Sequence, residues 1–390
     1  MRLNQLVLRN FRNYVDCEVD FTDRVNLIVG ENAQGKTTLL EAVYYLSTAK
    51  SHRTYPDDEL IRHNESWFYL KGIIEAQGSA ATPEAPDPTP LSRMTVEVSN
   101  ETNGKKRFKL NGILQKKLSQ WIGQFKVVFF SPESLTLVKG APTDRRRFID
   151  ILISQINAAY LTHLQNYQFA LKQRNELLKQ IRSKQANAEL LDSWENLLVA
   201  AGISIVQARA GVLARLRTHT QAKHAELTGN SETLELTYRP FLEGIDTAVK
   251  PDASNKFGRA LESSRSYDIL RGTTSLGPHR DDFKLVLRAQ SAGTAYCQEA
   301  KSFGSQGQQR TIALALKLGE LELIREEANG PPIVLLDDVF SELDDVRSAF
   351  LFELLRHLNA QTFITSTRQK VWTPTFGDCR VFRVQDGRVY

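Results

Sequence analysis

The octet Gly30-Glu31-Asn32-Ala33-Gln34-Gly35-Lys36-Thr37 constrains this chain more than any other feature. Before it, Val25 to Val29 is a short apolar run ending at a glycine, which reads as a strand. After it, Leu39, Leu40, Val43, Tyr44 and Leu46 recur at helical spacing. Strand, glycine loop and helix in that order build a cradle for phosphate. The glycines let backbone N–H groups converge on phosphate oxygens, Lys36 reaches the terminal phosphates, and the Thr37 hydroxyl takes a magnesium position. The expected ligands are therefore ATP and Mg2+, with Gly30, Glu31, Asn32, Ala33, Gln34, Gly35, Lys36, Thr37 and Thr38 around the nucleotide.

A second element fits the same chemistry. Ile333-Val334-Leu335-Leu336-Asp337-Asp338 is an apolar run too short for a helix, preceded by Pro331-Pro332 and closed by two carboxylates. A buried parallel strand ending in acids places them in the crevice where α/β sheets hold ligands. Asp337 suits the metal, and Asp338 suits an attacking water. A third element, Ser302 to Arg310, is small, polar and glycine-bearing and leads into a long helical pattern from Ile312 to Ile324. It can serve as a second anion site at a helix start, or simply as a capped N-terminus with turn glycines.

The rest of the chain bounds these readings. Its 390 residues, 41% hydrophobic and 24% charged, describe a globular protein large enough for two domains. No run reads as a membrane span and Met1 to Asn10 lacks the features of a signal peptide, so a cytoplasmic protein is expected. Cys17, Cys297 and Cys379 have no metal-ligand spacing, and buried reduced thiols are expected. Ser79 to Ser92, crowded with Ala, Pro, Thr and Asp, is expected to be an exposed, mobile hairpin insertion. Arg145 to Leu227 has no proline and carries Leu, Ile and Ala at helical spacing, so several long helices are expected there. Strand alternation returns at Leu234 to Tyr238 and at Phe283 to Leu287. The charge is uneven: Arg145 to Glu226 holds twelve Lys or Arg against six Asp or Glu, a surplus exceeding the net +5 of the whole chain. That surplus, headed by Arg145, Arg146 and Arg147, is either a solvated helical face or a set of DNA phosphate contacts.

Ser305-Gln306-Gly307-Gln308-Gln309 resembles the signature of ABC-type ATPases in their SMC variant, and Ser341-Glu342-Leu343-Asp344 resembles their D-loop. More narrowly, the chain resembles the RecF family of bacterial recombination-repair ATPases. The resemblance rests on Leu8 to Tyr14, Phe130-Ser131-Pro132-Glu133, Arg145-Arg146-Arg147-Phe148-Ile149-Asp150, Leu276-Gly277-Pro278-His279-Arg280-Asp281-Asp282 and Leu335 to Asp344, spread from end to end. It implies an α/β fold: an ABC-type P-loop ATPase head from residues 1–131 and 270–390, with a helical second domain, 132–269, inserted. It also implies ATP sandwiched in a homodimer, with Ser305, Gly307, Gln308 and Asp344 approaching the nucleotide held by Lys36 of the other copy. Catalysis would rest on Asp338, Lys36 and Ser305, and magnesium on Thr37 and Asp337. Double-stranded and gapped DNA, RecR with RecO, slow hydrolysis and a role in loading RecA follow from the same resemblance.

Two departures bear on the chemistry. Most ABC-type ATPases have glutamate where this chain has Asp338, which favours slow turnover. The usual switch histidine is missing from Phe363-Ile364-Thr365-Ser366-Thr367, leaving Thr365 or Ser366 to approach the terminal phosphate, and no glutamine stands out for the Q-loop. Arg12 and Arg53 are further candidates near the phosphates, against a plain surface role. His279 reads as a structural hydrogen-bonding residue. The competing function is a structural ATP-bound clamp in which hydrolysis hardly matters. The ATPase of a membrane transporter is disfavoured by the basic helical block and the family-specific runs.

Overall fold

Four short, largely buried strands set the centre of the first unit: β3 (Val25–Val29), β8 (Val127–Phe130), β12 (Ile333–Leu336) and β13 (Thr362–Ser366). Every residue of β8, β12 and β13 is buried, as parallel strands covered on both faces require. The computed structural model describes residues 1–21, 24–53, 56–76, 92–102, 104, 106–291, 294–328, 330–367 and 379–390. Among these, β14 (Cys379–Gln385) and β15 (Arg388–Val389) complete a sheet in the order β15-β14-β3-β13-β12-β8, parallel except for β15. Because β13 lies between β3 and β12, the loops after β3 and β12 open at the same sheet edge, one strand apart.

An antiparallel sheet in the order β2-β1-β4-β5-β6-β7 belongs to the same unit: β1 (Arg2–Phe11), β2 (Tyr14–Asp20), β4 (Trp67–Ala76), β5 (Ser92–Glu101), β6 (Arg107–Leu110) and β7 (Ile113–Leu114). Helix α1 (Lys36–Thr48) packs on it, and Gly72 of β4 permits the approach. A Cβ there would meet Leu46, Val96 and Leu3 at 3.1–3.2 Å. Strands β4 and β5 pair from Trp67↔Glu101 to Ala76↔Ser92; the insertion expected between them, residues 77–91, lies outside the described residues.

The chain forms two compact units, Met1–Ser134 with Glu320–Tyr390, and Leu135–Gly319. Strand 282–291 pairs with strands of the helical unit, Leu135–Gly319, rather than with either sheet above. That unit contains α2 (Thr136–Lys139), α3 (Pro142–Ile156), α4 (Ala158–Arg182), α5 (Leu191–Thr228), β9 (Glu232–Arg239), α6 (Lys250–Arg271), β10 (Asp282–Ser291), β11 (Thr294–Glu299) and α7 (Ala300–Phe303). Its sheet runs β11-β10-β9, with β10 antiparallel to both neighbours. Helix α8 (Gln306–Glu327) spans the junction at Gly319.

The core of the helical unit is apolar with buried ion pairs set into it. Leu177, Leu178 and Leu191 cluster with Ile181, Trp194 and Ile269. Arg174, fully buried, pairs with Glu195 at 2.9 Å and Asp268 at 2.8 Å. Arg209 pairs with Asp150 and Asp281, each at 2.8 Å. By length and composition α5 could cross a membrane, contrary to the reading that no run is apolar enough. Its Leu198, Ile203, Ile205, Val206, Leu213 and Leu216 are instead buried core residues, and Arg209 sits among them. The cysteines also differ from expectation. Cys17 is buried, and burial pushes its thiol up to about 11, but Cys297 is exposed and Cys379 half-buried, since both lie on short or outer strands.

Candidate functional site

Helix α1 begins directly from the glycine loop, with Gly35 at φ 116° as its N-cap. Only glycine takes that conformation without strain, and it turns the first amides of the helix toward the loop's hollow. The Lys36 ammonium folds back over the loop and donates to the carbonyls of Gly30 and Glu31 at 2.8 and 2.7 Å. Burial lowers its pKa, while Asp338 and Asp337 act in the opposite direction. A lysine so held has its ammonium at the cradle.

The two sequence elements 300 residues apart meet here. Thr37 Oγ1 donates to Asp337 Oδ1 at 2.8 Å. Asp337 is 3% exposed at the end of β12, and burial raises its pKa against hydrogen bonds from Thr365 and Thr37. A hydroxyl and a carboxylate facing one another supply the hard oxygen donors that magnesium takes. Asp338 follows with φ 50° and caps α9 (Val339–Glu342), so its side chain leaves in a direction different from that of Asp337. Thr365, read from sequence as a weak phosphate contact, lines the same cavity and also braces the acids. Its hydroxyl donates to Asp337 Oδ1 at 2.8 Å and accepts from the Asp338 N–H at 2.9 Å, tying β13 to both acids.

These groups line a cavity of about 820 Å³ together with Asn32, Ala33, Gly35, Thr38, Arg12, Arg53 and His63. Gly30, Glu31 and Gln34, expected beside them, line a separate cavity of about 670 Å³ with Arg383, Asp386 and Tyr390. Arg12 is engaged bidentately by the buried Glu41 of α1, at 3.0 and 2.9 Å, and Ser51 donates to the same carboxylate. Arg53 lies 3.4 Å from Glu133 and 3.7 Å from Asp337. Glu41 escaped the sequence reading, although an acid within the apolar pattern of α1 was its signal.

The loop is also held from outside, by residues to which sequence assigned no role. Asn13 Nδ2 and the Gly387 N–H both donate to the Gln34 carbonyl, at 3.0 and 3.1 Å, and the Asp386 N–H donates to Gln34 Oε1 at 2.7 Å. Tyr14 donates to the Gly35 carbonyl at 3.1 Å. The Asp-Gly turn joining β14 and β15, with φ of 48° and 69°, thus grips the apex of the phosphate loop. This gives the Asn13-Tyr14 pair of the first motif a physical purpose.

In the helical unit, Ser305 caps α8. The Gln308 N–H donates to Ser305 Oγ at 3.2 Å and the Ser305 N–H donates to Gln308 Oε1 at 2.8 Å, a reciprocal capping box. Gly307 is exposed and a Cβ there would meet nothing closer than 3.9 Å, which leaves the backbone accessible. Asp344 caps α10 (Asp345–Leu358), accepting from the Arg347 N–H at 2.9 Å.

Of the three arginines expected at DNA, Arg145 requires a correction. Arg145 is 6% exposed and engages Asp282 through two bonds of 2.7 and 2.8 Å. A guanidinium saturated inside the fold has no face left for phosphate. Arg146 is half-buried and donates to the Asp281 carbonyl at 2.7 Å, and Arg147 is half-buried. His279 is structural, as expected: the Tyr167 hydroxyl lies 2.6 Å from Nδ1, Nε2 lies 3.1 Å from the Thr274 carbonyl, and burial pushes its pKa down to about 4. Among the described residues no cluster of His, Cys, Asp or Glu could hold a further metal.

Comparison with known proteins agrees with this geometry. The chain matches the RecF/RecN/SMC N terminal domain family over residues 2–389. It is 42% identical to the DNA replication and repair protein RecF of Natranaerobius thermophilus, over 99% of this chain and 97% of that protein. It is 40% identical to RecF of Bacillus cereus, over 100% and 98%. A solved structure described as the recombination mediator protein RecF with ATP in the RecFOR pathway superposes with TM-score 0.86 at 33% identity, covering 100% of this chain and 96% of that one. An Smc head domain from Pyrococcus furiosus superposes with TM-score 0.53 at 15% identity, covering 99% and 94%, a likeness of fold alone. The fold is thus α/β, an ABC-type P-loop ATPase head with a helical second domain inserted.

Proposed function

Starting from the fact that this chain belongs to the RecF family of DNA replication and repair proteins, we propose that it is an ATP-gated DNA-binding protein of recombinational repair. The observation that carries the reading is the Thr37–Asp337 hydrogen bond of 2.8 Å beside the Lys36 ammonium. It joins phosphate loop and acid pair into one nucleotide site. ATP enters with its phosphates on the loop from Gly30 to Thr38. Lys36 neutralises the terminal phosphates, and Thr37 and Asp337 hold Mg2+, which supplies charge neutralisation across the phosphates when bound. Asp338 accepts the proton of an attacking water, and Thr365 fixes the acid pair. The shorter reach of Asp338 relative to glutamate favours slow hydrolysis.

ATP assembles a head-to-head homodimer in which the capped start of α8, with Ser305, Gly307 and Gln308, and the D-loop Asp344 complete the site of the opposite copy. The dimer binds double-stranded or gapped DNA in the cytoplasm, works with RecR and RecO, and helps load RecA at single-strand gaps. DNA stimulates the slow ATPase. With Arg145 withdrawn, DNA contact falls to Arg147 and to exposed cations of the helical unit such as Lys172, Lys184 and Arg217. The alternative is an ATP-bound clamp with little role for hydrolysis, which the short Asp338 side chain favours. Binding of gapped, duplex and single-stranded DNA should be measured with and without ATP while the dimer is followed by sedimentation. Duplex-containing DNA is expected to bind best with ATP, with affinity falling steeply as salt rises. A protein that stays monomeric at saturating ATP and Mg2+, and binds DNA equally without them, would refute the proposal.

A further inference from the structure

The arginine that sequence assigned to DNA has a different connection. Gly140, between α2 and α3, offers one carbonyl to two cations: Arg145 Nη1 at 3.2 Å and Lys301 Nζ at 2.9 Å. Arg145 is itself fixed by both carboxylate oxygens of Asp282, the last residue of the Gly-Pro-His-Arg-Asp-Asp run. Lys301 lies four residues before Ser305. Only glycine fits at this position, because a Cβ added there would meet the Thr136 carbonyl and the Asp144 carboxylate at 2.4 Å.

The far side of the same segment is fixed as well. Gln309 Nε2, 5% exposed at the residue level, donates to the carbonyls of Ala300 and Lys301 at 3.0 and 3.3 Å. Gln308 Nε2 donates to Glu232 of β9 at 2.6 Å. Asp281, next to Asp282, receives Arg209 of α5, Tyr238 of β9 and the Phe241 N–H, at 2.8, 2.6 and 2.8 Å. Residues 300–309 are therefore connected, through charge-assisted bonds of fixed geometry, to the start of α3 and to the buried network in which α5 and β9 meet.

We propose that Arg145 is a positioning residue for the signature serine: held by Asp282, it sets the Gly140 carbonyl that Lys301 grips, and so sets the start of α8 that carries Ser305. The inference deepens the shared-site reading above and rests on it for its functional consequence. Its structural core, that Arg145 orders residues 301–309, stands separately. Arginine is required because lysine cannot engage both Asp282 oxygens and the Gly140 carbonyl at once.

The test uses full-length protein carrying Arg145→Lys and, because a buried change can impair folding, a second variant at the exposed end, Lys301→Ala. Hydrogen exchange of amides 302–309 is expected to be roughly tenfold faster in both, as for the loss of one charge-assisted bond. Unchanged exchange overturns the proposal. Hydrolysis is then measured in mixtures. Arg145→Lys should regain activity with Lys36→Ala, which contributes an intact signature, and should not with Ser305→Arg, whose lesion is on the same side. Recovery with Ser305→Arg alone overturns the proposal. Mixing Lys36→Ala with Ser305→Arg is the control. If that pair recovers nothing, the shared site has failed, and the exchange data with the DNA salt slope still decide the role of Arg145. That slope is expected to be unchanged in Arg145→Lys and Arg145→Ala; loss of about one phosphate equivalent in Arg145→Ala would make it a DNA contact and overturn the proposal.

Discussion

Thr365→Val separates the role of Thr365 from that expected of a phosphate-sensing switch. Thr365 is 2% exposed, and valine keeps its shape while removing one oxygen. That oxygen donates to Asp337 Oδ1 at 2.8 Å and accepts the Asp338 N–H at 2.9 Å. A hydrogen bond to a charged group contributes about 1.5–3 kcal/mol, and a buried N–H left without its partner costs about 1–3 kcal/mol. Sharing one atom, the two losses are not fully additive, so Thr365→Val should lower the unfolding free energy by about 2–4 kcal/mol. The functional effect has a sign. Burial raises the Asp337 pKa, and the Thr365 bond is among the groups opposing it. Without that bond the pKa rises further, and the pH at which Asp337 becomes a metal-competent carboxylate moves up. Mg2+-dependent ATP binding should weaken roughly tenfold, and more so as the pH is lowered, while Mg2+-free binding stays near wild type. Urea unfolding, read as a lower midpoint at constant slope, gives the first number. Titration of a fluorescent nucleotide with and without Mg2+ gives the second, with Thr365→Ser as the control that keeps the hydroxyl. Valine and serine variants of equal stability and equal metal dependence would refute the argument. So would a valine variant that loses Mg2+-free binding to the same extent.

Three further outcomes are expected. Lys36→Ala should weaken ATP binding at least about tenfold with the fold retained, since it removes the ammonium aimed at the phosphates; equal affinity by calorimetry would displace the site. Asp338→Asn should leave magnesium binding through Asp337 intact but slow phosphate release by about a hundredfold or more, because an amide cannot accept the water's proton; wild-type turnover would remove Asp338 from the chemistry and favour the clamp. His279, with its pKa pushed from 6.5 to about 4, binds its proton less readily when folded, so its contribution is fully present above pH 6.5 and lost as pH falls toward 4. Between pH 6.5 and 5 the unfolded chain takes up the proton first, costing about 2 kcal/mol by pH 5, and His279→Gln should flatten that part of the stability profile. A profile that His279→Gln leaves unchanged would assign the acid sensitivity elsewhere.

Local physics was the legible part of the sequence. The phosphate loop, the strand Val25–Val29 and the helix from Lys36 could be read because glycine spacing and apolar period are properties of neighbouring residues. Asp337 was found because an apolar run ending in acids has few other uses beside such a loop. Thr365 was noticed, but its bonds were not: composition marks a polar residue at a strand end without saying that it also ties to the neighbouring acids. The grip of Asp386 and Gly387 on Gln34 was not legible, since it depends on β14 lying beside β3 across more than three hundred residues of chain. The partner of Phe283 to Leu287 was likewise hidden, since its pairing with Leu234 to Tyr238 is a long-range register.

The basic surplus of the helical block shows where counting stops being informative. Charge composition weighs every cation equally, yet Arg145, Arg174 and Arg209 lie inside the fold at 6%, 0% and 3% exposure. Each is matched by carboxylates distant in sequence: Asp282 for Arg145, Asp268 for Arg174, and Asp281 for Arg209. All three of those acids, Asp268, Asp281 and Asp282, lie beyond the segment that was counted, which is why a surplus was found there at all. Removing one partner of such a buried pair costs about 3–5 kcal/mol, so alanine at these arginines tests folding before it tests DNA binding. A lost DNA interaction in an Arg145→Ala, Arg146→Ala, Arg147→Ala triple variant would therefore say nothing of phosphate contact. Exposed residues such as Lys172, Lys184 and Arg217 can be replaced without that cost, and their salt slopes bear directly on where the duplex lies.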